Sequence, residues 1–227
     1  MPQKSDAIHT HPIIHLVSFS GAHSVGKSTL ISALKKSILK SEIFTIPSCS
    51  SEWFRRKQKT NPECKTYDDV NRLGLREEMQ SELPHILYEF VIENFIASRK
   101  DSIILCDRWF SDIASYTISE LGYEKYQDIE NSSPHYFESL IDVLKTKSVL
   151  KCIDFYFTEV FIPVSSCSHA LLRGEGPDGK PRATLDQIEW EKNYNAVRDR
   201  YSFEGHTLTI QSSSVSDRVE EVMRRIR

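Results

Sequence analysis

The chain has 227 residues and a formal net charge of -3, with 39% hydrophobic and 27% charged residues. This length fits one domain, or one domain with an inserted subdomain, and the composition is that of an ordinary globular protein. The slightly acidic balance argues against a surface that coats nucleic acid in general, although it leaves room for a local basic groove.

Cysteine usage and the N-terminus indicate the compartment. The five cysteines are odd in number and widely spaced, at Cys49, Cys64, Cys106, Cys152 and Cys167. No pair has the spacing of a zinc or redox motif, which favours free thiols in a reducing environment. The N-terminus lacks an apolar signal core, and no apolar run reaches membrane-spanning length. We therefore expect a cytoplasmic protein with a loose tail at 1–12, a domain over 13–227 and no membrane segment.

The first part of the chain alternates strand and helix patterns. The β-branched, apolar run IIHLVSFS at 13–20 predicts a buried strand. Residues 27 to about 40 place their apolar side chains on one helical face. A second strand is predicted at 42–46, and a serine-capped helix begins with SEWFRR at 51–56. The polar, proline-containing residues 57–66 predict a surface excursion.

The middle of the chain repeats this alternation. The pattern from about 68 to 99 is helical, with a break or bend expected near Pro84. The apolar run SIILC at 102–106 predicts a third buried strand, and residues 122–135 are polar and predict a loop.

The last part of the chain completes the pattern. Helices are predicted from 137–144, at 186–201 and at 216–226, the last with Ser216 as N-cap. The remaining strands are predicted at 152–157 and 206–210. Alternating strands and helices favour an α/β protein in which helices cover both faces of a five-stranded parallel sheet, a three-layer α/β/α sandwich.

The loop SGAHSVGKSTL after the first strand has the spacing of a phosphate-cradling loop, with four residues between its glycines. Glycines permit close approach of phosphate oxygens, and the following helix adds its positive N-terminal end. We expect Lys27 to reach the β- and γ-phosphates of ATP and Ser28 to bind Mg²⁺. The predicted nucleotide-binding residues are Gly21, Ala22, His23, Ser24, Val25, Gly26, Lys27, Ser28 and Thr29.

Asp107 and Arg108 directly follow the strand at 102–106. This position lies at the carboxyl edge of the sheet, where ligands of such folds bind. There, the carboxylate of Asp107 can hold Mg²⁺ or accept a proton from a substrate hydroxyl. The guanidinium of Arg108 can clamp a phosphate or a carboxylate. Both residues are predicted to be catalytic.

The stretch CDRWFSDIASY at 106–116 resembles the Asp-Arg-aromatic segment of thymidylate kinases and related deoxynucleoside kinases. It is more similar still to the ATPase-like kinase family that includes ribosylnicotinamide kinase domains. That family has a Glu-x-x-Arg motif after the second strand, matched here by Glu52 and Arg55, and an Asp-Gly-x-Arg segment near the lid. Residues 178–182 match the latter with one extra residue. The resemblance spans about 13–226 and implies a P-loop nucleoside or nucleotide kinase.

The resemblance also implies roles for individual residues. Glu52 would contact the acceptor, Arg55 a phosphate, and Arg108 the substrate. The segment QSSS at 211–214 falls where related kinases hold adenine. A homodimer is common among such kinases, so it is a further expectation.

A segment at about 169–186, rich in glycine, proline and arginine, has the composition of a lid that closes over phosphates. Arg173, Lys180 and Arg182 are its candidate clamps for charge on the transferred group. Arg182 is the preferred catalytic candidate because it also fits the family pattern.

These features predict a Mg²⁺-dependent kinase that transfers the γ-phosphoryl group of ATP to a nucleoside or a nucleoside monophosphate. A hydroxyl acceptor would be activated by Asp107 or Glu52, whereas a phosphate acceptor needs arginines around it, and the sequence offers both. One alternative is a kinase that acts on a hydroxymethylated base in DNA, which the acidic balance disfavours. Another is a nucleotide-dependent ATPase or switch that binds a protein partner, in which Arg108 would be dispensable.

Overall fold

The computed structural model describes residues 11–22, 24–38, 41–98, 100–132, 135–151, 153–167, 184–201 and 206–226. The strands in these ranges are β1 Ile13–Ser20, β2 Glu42–Ile46, β3 Ser102–Asp107, β4 Asp154–Phe161 and β5 Thr207–Thr209. They form one sheet in the order β2-β3-β1-β4-β5, and every pairing is parallel. The predicted α/β fold with a five-stranded parallel sheet is confirmed.

Helices lie between and after the strands. In the described ranges they are α1 Lys27–Ser37, α2 Cys49–Thr60, α3 Tyr67–Arg72, α4 Arg76–Ala97, α5 Phe110–Leu121, α6 Tyr123–Ser132, α7 Tyr136–Lys151, α8 Thr184–Val197 and α9 Val215–Ile226. Two short 3₁₀ turns cover Val164–Ser166 and Arg198–Arg200. None of the helices in the described part of the chain combines the length and the apolar character needed to span a bilayer.

The sheet is buried on both faces because alternate residues of β1 point into different cores. Ile14 and Leu16 belong to a cluster with apolar residues of α2, α4, α5 and α7. Val17 and Phe19 belong to a second cluster with residues of α1, α8 and α9. Helices on both faces explain why β1 reads as a nearly continuous apolar run, and they make the fold a three-layer sandwich.

Of the break or bend predicted near Pro84, the break does not occur there. The helix α4 continues through Pro84, and the break lies upstream at Gly74, whose φ of 68° is left-handed. A proline inside a helix costs about 3 kcal/mol. Burial of neighbouring apolar side chains such as Leu83, Ile86 and Leu87 contributes about 1.5–3 kcal/mol each, which outweighs that cost.

Three further predictions of local structure were wrong. Residues 122–135 contain the helix α6, because Tyr126 and Ile129 are buried one turn apart while their polar neighbours face outwards. The helix α2 continues to Thr60, so the predicted excursion at 57–66 begins later. The last helix begins at Val215, one residue before the predicted range, and its cap lies two residues before the predicted one. Its cap is Ser214, whose Oγ accepts the N–H of Asp217 at 3.2 Å, and Ser216 lies inside the helix.

Candidate active site

The loop between β1 and α1 lies at the carboxyl end of the central strand of the sheet. A Cβ atom on Gly21 would lie 2.8 Å from the carbonyl oxygen of Ile162 and 2.8 Å from Cγ2 of Val25, so only glycine fits there. Ser24 and Gly26 have left-handed φ values of 62° and 94°. Such turns direct successive main-chain N–H groups towards one point, which makes an anion-binding concavity. His23 lies outside the described residues.

The ammonium group of Lys27 lies against this loop. Lys27 is the first residue of α1, and its side chain is buried. Its Nζ donates hydrogen bonds to the carbonyl oxygens of Gly21 and, at 2.9 Å, of Ala22. The predicted lysine therefore lies against the first two residues of the loop.

Ser28 and Asp107 meet at the edge of the sheet. The pairing of Phe19 with Asp107 between β1 and β3 brings the carboxylate next to α1. The Oγ of Ser28 donates to Oδ2 of Asp107 at 3.3 Å, and Oδ1 of Asp107 is buried with no hydrogen-bond partner among the described residues. A hydroxyl and a carboxylate with an unused oxygen fit Mg²⁺, which takes oxygen ligands and is usually held by one or two protein groups plus phosphates and water.

Arg108 is held in an unusual backbone conformation. Its φ is 102°, and its N–H donates to the carbonyl oxygen of Phe19 at 3.1 Å. A non-glycine residue with such a φ costs about 1–3 kcal/mol, which the surrounding structure must offset. The guanidinium lies 4.4 Å from the centre of the Tyr116 ring, and its Nη1 is 3.5 Å from Oδ2 of Asp112. The direction of this side chain is therefore fixed by two neighbouring side chains, Tyr116 and Asp112.

Asp112, which the sequence reasoning missed, links Arg108 to the phosphate loop. This fully buried carboxylate accepts the N–H of Gly21 through Oδ1 at 3.1 Å. Burial raises the pKa of Asp112, whereas the charges of Lys27 and Arg108 lower it. Asp112 lies in the first turn of α5, whereas Arg108 precedes that helix, so no helical spacing in the sequence linked the two residues.

Glu159 binds the side chain of Ser20 at the end of β1, and the sequence reasoning missed this residue too. Its Oε1 accepts hydrogen bonds from Ser20 Oγ at 2.8 Å, Ser111 Oγ at 2.6 Å and the Tyr194 hydroxyl at 2.9 Å. Burial raises the pKa of Glu159, although these three hydrogen bonds oppose the rise. A glutamate inside the apolar run FYFTEVF was the signal for a buried polar centre.

A cavity of about 470 Å³ opens beside the loop. It is bounded by the phosphate loop, α2, α4, α5 and α8, and its wall includes Ala22, Cys49, Arg76, Gln80, Arg108 and Trp190. Burial raises the pKa of Cys49 to about 12, so its thiol is neutral.

Three polar side chains of this wall, Arg76, Gln80 and Glu120, form a connected set of contacts. Nη1 of Arg76 lies 3.2 Å from Glu120, which also accepts the side-chain amide of Gln80 at 2.7 Å. The amide oxygen of Gln80 accepts the hydroxyl of Thr117 at 3.1 Å. These contacts fix the directions of Arg76 and Gln80 in this part of the wall.

No family model matches the sequence, and no curated protein matches it either. Solved structures do match. The NadR protein in complex with NR has a TM-score of 0.54 at 13% identity, covering 93% of this chain and 49% of that chain. NadR in complex with NAD and AMP-PNP has a TM-score of 0.51 at 14% identity, covering 92% and 49%. The fold is that of the P-loop nucleoside and nucleotide kinases.

A further match is deoxyadenosine kinase from M. mycoides with bound dATP, with a TM-score of 0.49 at 15% identity, covering 93% of this chain and 98% of that one. This chain spans about half the length of the NadR chains that it matches. At these identities the comparisons establish the P-loop kinase fold, and the roles of individual residues stay predictions.

Within this P-loop kinase fold, Glu52 lies in an ion-pair cluster. Its carboxylate accepts Nε of Arg55 at 2.6 Å and Nε of Arg56 at 2.8 Å, and Arg56 also contacts Glu89 at 2.8 Å. The hydrogen bond from Arg55 is the main reason why the pKa of Glu52 is lowered to about 2. Glu52 and Arg55 are not among the residues that line the 470 Å³ cavity.

The predicted lid falls mostly on residues 168–183, which lie outside the described residues. Arg173, Lys180 and Arg182 belong to that segment, so their predicted roles as clamps stay predictions.

Proposed function

We propose that the protein is a Mg²⁺-dependent kinase that transfers the γ-phosphoryl group of ATP to a hydroxyl group of a nucleoside. The observation that carries this proposal is that two predicted functional features line the same cavity. The phosphate loop, through Ala22, and the predicted catalytic Arg108 line the same 470 Å³ cavity. Donor and acceptor can therefore meet at one point, which is the main requirement for phosphoryl transfer.

The residues of the loop would hold and neutralise the triphosphate. Main-chain N–H groups would bind its oxygens, and Lys27 would exchange its carbonyl partners for the β- and γ-phosphates. Ser28 and Asp107 would hold Mg²⁺, which neutralises charge on the phosphates when it is bound. Arg108 would stabilise charge on the phosphoryl group during transfer.

A hydroxyl acceptor is favoured over a phosphate acceptor by the charges of the cavity wall. The arginines among the described lining residues are Arg76 and Arg108, and each already has a carboxylate partner, in Glu120 and Asp112. A phosphate dianion would bring two more negative charges to a wall whose positive charges are compensated. A neutral nucleoside meets no such penalty.

Asp107 is favoured over Glu52 as the group that accepts the proton because of the bonds that each carboxylate already makes, since neither residue is among those that line the 470 Å³ cavity. In the transfer step, the acceptor oxygen bonds to the γ-phosphorus as the bond to the β–γ bridging oxygen breaks, and the hydroxyl proton leaves. In the part of the chain that the structure describes, Oδ1 of Asp107 is buried and has no hydrogen-bond partner. Glu52, in contrast, is bound to two arginines, and its pKa of about 2 makes it a weak base.

The test is to incubate the protein with γ-labelled ATP and Mg²⁺ and to offer four acceptor conditions. These are nucleosides, nucleoside monophosphates, hydroxymethylated duplex DNA and no acceptor. We expect label in nucleoside monophosphates formed from the nucleosides, and none with Lys27→Met. Label in nucleoside diphosphates would show that the acceptor is a nucleoside monophosphate, and label in DNA would show that it is a DNA base. Release of inorganic phosphate alone in all four conditions would favour the nucleotide-dependent ATPase or switch.

A further inference from the structure

Arg218 joins three separate segments behind the phosphate loop. It belongs to α9 and is 1% exposed. Its Nη1 donates to the carbonyl oxygen of Val25 at 2.8 Å, its Nη2 to that of Ser166 at 2.9 Å, and its Nε to that of Ser212 at 2.9 Å. These carbonyls belong to the phosphate loop, to the turn after β4 and to the loop after β5. One buried side chain therefore connects all three.

This guanidinium has main-chain partners in place of a carboxylate. Within the described part of the chain, Arg218 forms no salt bridge, and its remaining contacts are with Ser166 Oγ at 3.5 Å and Cys167 Sγ at 3.7 Å. A buried charge is tolerated only when its donors are satisfied. Displacing any of the three carbonyls would leave part of the charge unsatisfied, so each of them is held firmly.

A second residue of α9, Glu221, also binds the loop after β5. Glu221 accepts the N–H of Gln211 at 3.1 Å and that of Ser212 at 3.0 Å, and it also accepts the hydroxyl of Ser212. Arg218 takes the carbonyl oxygen of the same Ser212. Together, Arg218 and Glu221 fix this loop relative to α9.

The bond to Val25 acts directly on the phosphate loop. A trans peptide is planar, and its C=O and N–H groups point in opposite directions. When Arg218 holds the carbonyl of Val25 on the outside of the loop, the N–H of Gly26 in the same peptide must point the other way. The N–H of Gly26 is one of the groups predicted to bind the triphosphate.

We propose that Arg218 is a positioning residue that orients the phosphate loop for the triphosphate and ties it to the loop after β5. This inference rests on the part of the proposed function in which the loop binds ATP, and it does not depend on the acceptor. Its effect should be on ATP affinity, because Arg218 contacts the loop from behind and not the cavity.

The experiment measures the dissociation constant of Mg·ATP by calorimetry, without acceptor, for the wild type, Arg218→Met, Arg218→Lys and the control Arg224→Met. Arg224 is an exposed arginine of the same helix. We expect Arg218→Met to weaken ATP binding about tenfold or more, because several hydrogen bonds to a charged donor are lost. Arg218→Lys should recover part of this loss, and Arg224→Met should bind within about twofold of the wild type.

In turnover assays, Arg218→Lys should raise the KM for ATP more than it lowers kcat, since saturating ATP restores the loop. Unchanged ATP affinity in a folded Arg218→Met protein, or an equal loss in Arg224→Met, would overturn the inference.

If the Arg218 variants do not fold, the ATP affinity of Glu221→Gln tests the inference instead. This substitution should weaken ATP binding about threefold, and wild-type affinity would overturn the inference. If the wild type binds ATP and phosphorylates no acceptor, the kinase proposal fails, while the affinity comparison still tests Arg218.

Discussion

Oδ2 of Asp112 lies 3.5 Å from Nη1 of Arg108, while Oδ1 of the same carboxylate accepts the N–H of Gly21 at 3.1 Å. One buried group therefore connects the first glycine of the phosphate loop to the arginine that lines the acceptor cavity. The carboxylate of Asp112 therefore contacts both the loop predicted to bind ATP and the arginine of the acceptor cavity.

Asp112→Asn should reduce transfer and stability together. The amide keeps an acceptor for Gly21 but leaves the charge of Arg108 without its counter-charge. Breaking a buried pair in this way costs about 3 kcal/mol or more. We expect the free energy of unfolding to fall by about that amount and kcat to fall about 10- to 100-fold. Denaturant unfolding and initial rates measure both. Asp128→Asn, at an exposed position, is the control, and a comparable loss there would remove Asp112 from this role.

Arg108→Ala should separate transfer from nucleotide binding. The side chain lines the acceptor cavity and lies over Tyr116, so its loss should lower kcat about 100-fold or more and change the ATP dissociation constant less than about threefold. Arg108→Lys should recover little, because an ammonium lacks the planar fork. Calorimetry and initial rates give the two numbers. Wild-type activity in Arg108→Ala would point to a nucleotide switch.

Glu159→Gln should change the pH dependence of stability. Burial raises the pKa of Glu159 above its ordinary value, so the folded state binds this proton more tightly than the unfolded state. The wild type should therefore lose stability, relative to the variant, as pH rises from the ordinary glutamate pKa through the raised one. Urea unfolding of both proteins between pH 4 and 8 measures this difference. A constant difference over that range would mean that Glu159 does not titrate there.

Glu52→Gln should change the pH dependence of stability in the opposite direction. The pKa of Glu52 is lowered to about 2, so its ionised form contributes stability above the ordinary glutamate pKa, and that contribution disappears as pH falls towards 2. Because Arg55 is largely exposed, we expect a loss of only about 1 kcal/mol at pH 7 and a smaller loss near pH 2. Unfolding at the two pH values measures this. If instead acceptor kcat/KM collapses and stability is unchanged, Glu52 has the predicted acceptor role.

The phosphate loop and the strands were predictable because their signals are local. Glycine spacing specifies the turn between β1 and α1, and apolar runs specify the strands. The contacts of Asp112 with Gly21 and of Arg218 with Val25 join residues 91 and 193 positions apart. Such contacts depend on how helices pack on the sheet, which no local pattern records. Pro84 shows the reverse case, because burial overrides a strong local signal.

The central claim is that ATP bound at the phosphate loop transfers its γ-phosphoryl group to a hydroxyl acceptor in the cavity. Arg108 stabilises the charge on that group during the transfer. This claim is tested most directly by following γ-labelled ATP, with Mg²⁺ and a single nucleoside, in the wild type and in Arg108→Ala. We predict that the label moves to the nucleoside monophosphate with the wild type, and that Arg108→Ala binds ATP but transfers almost none. Label released only as inorganic phosphate by the wild type, at a rate that the nucleoside does not change, would contradict it.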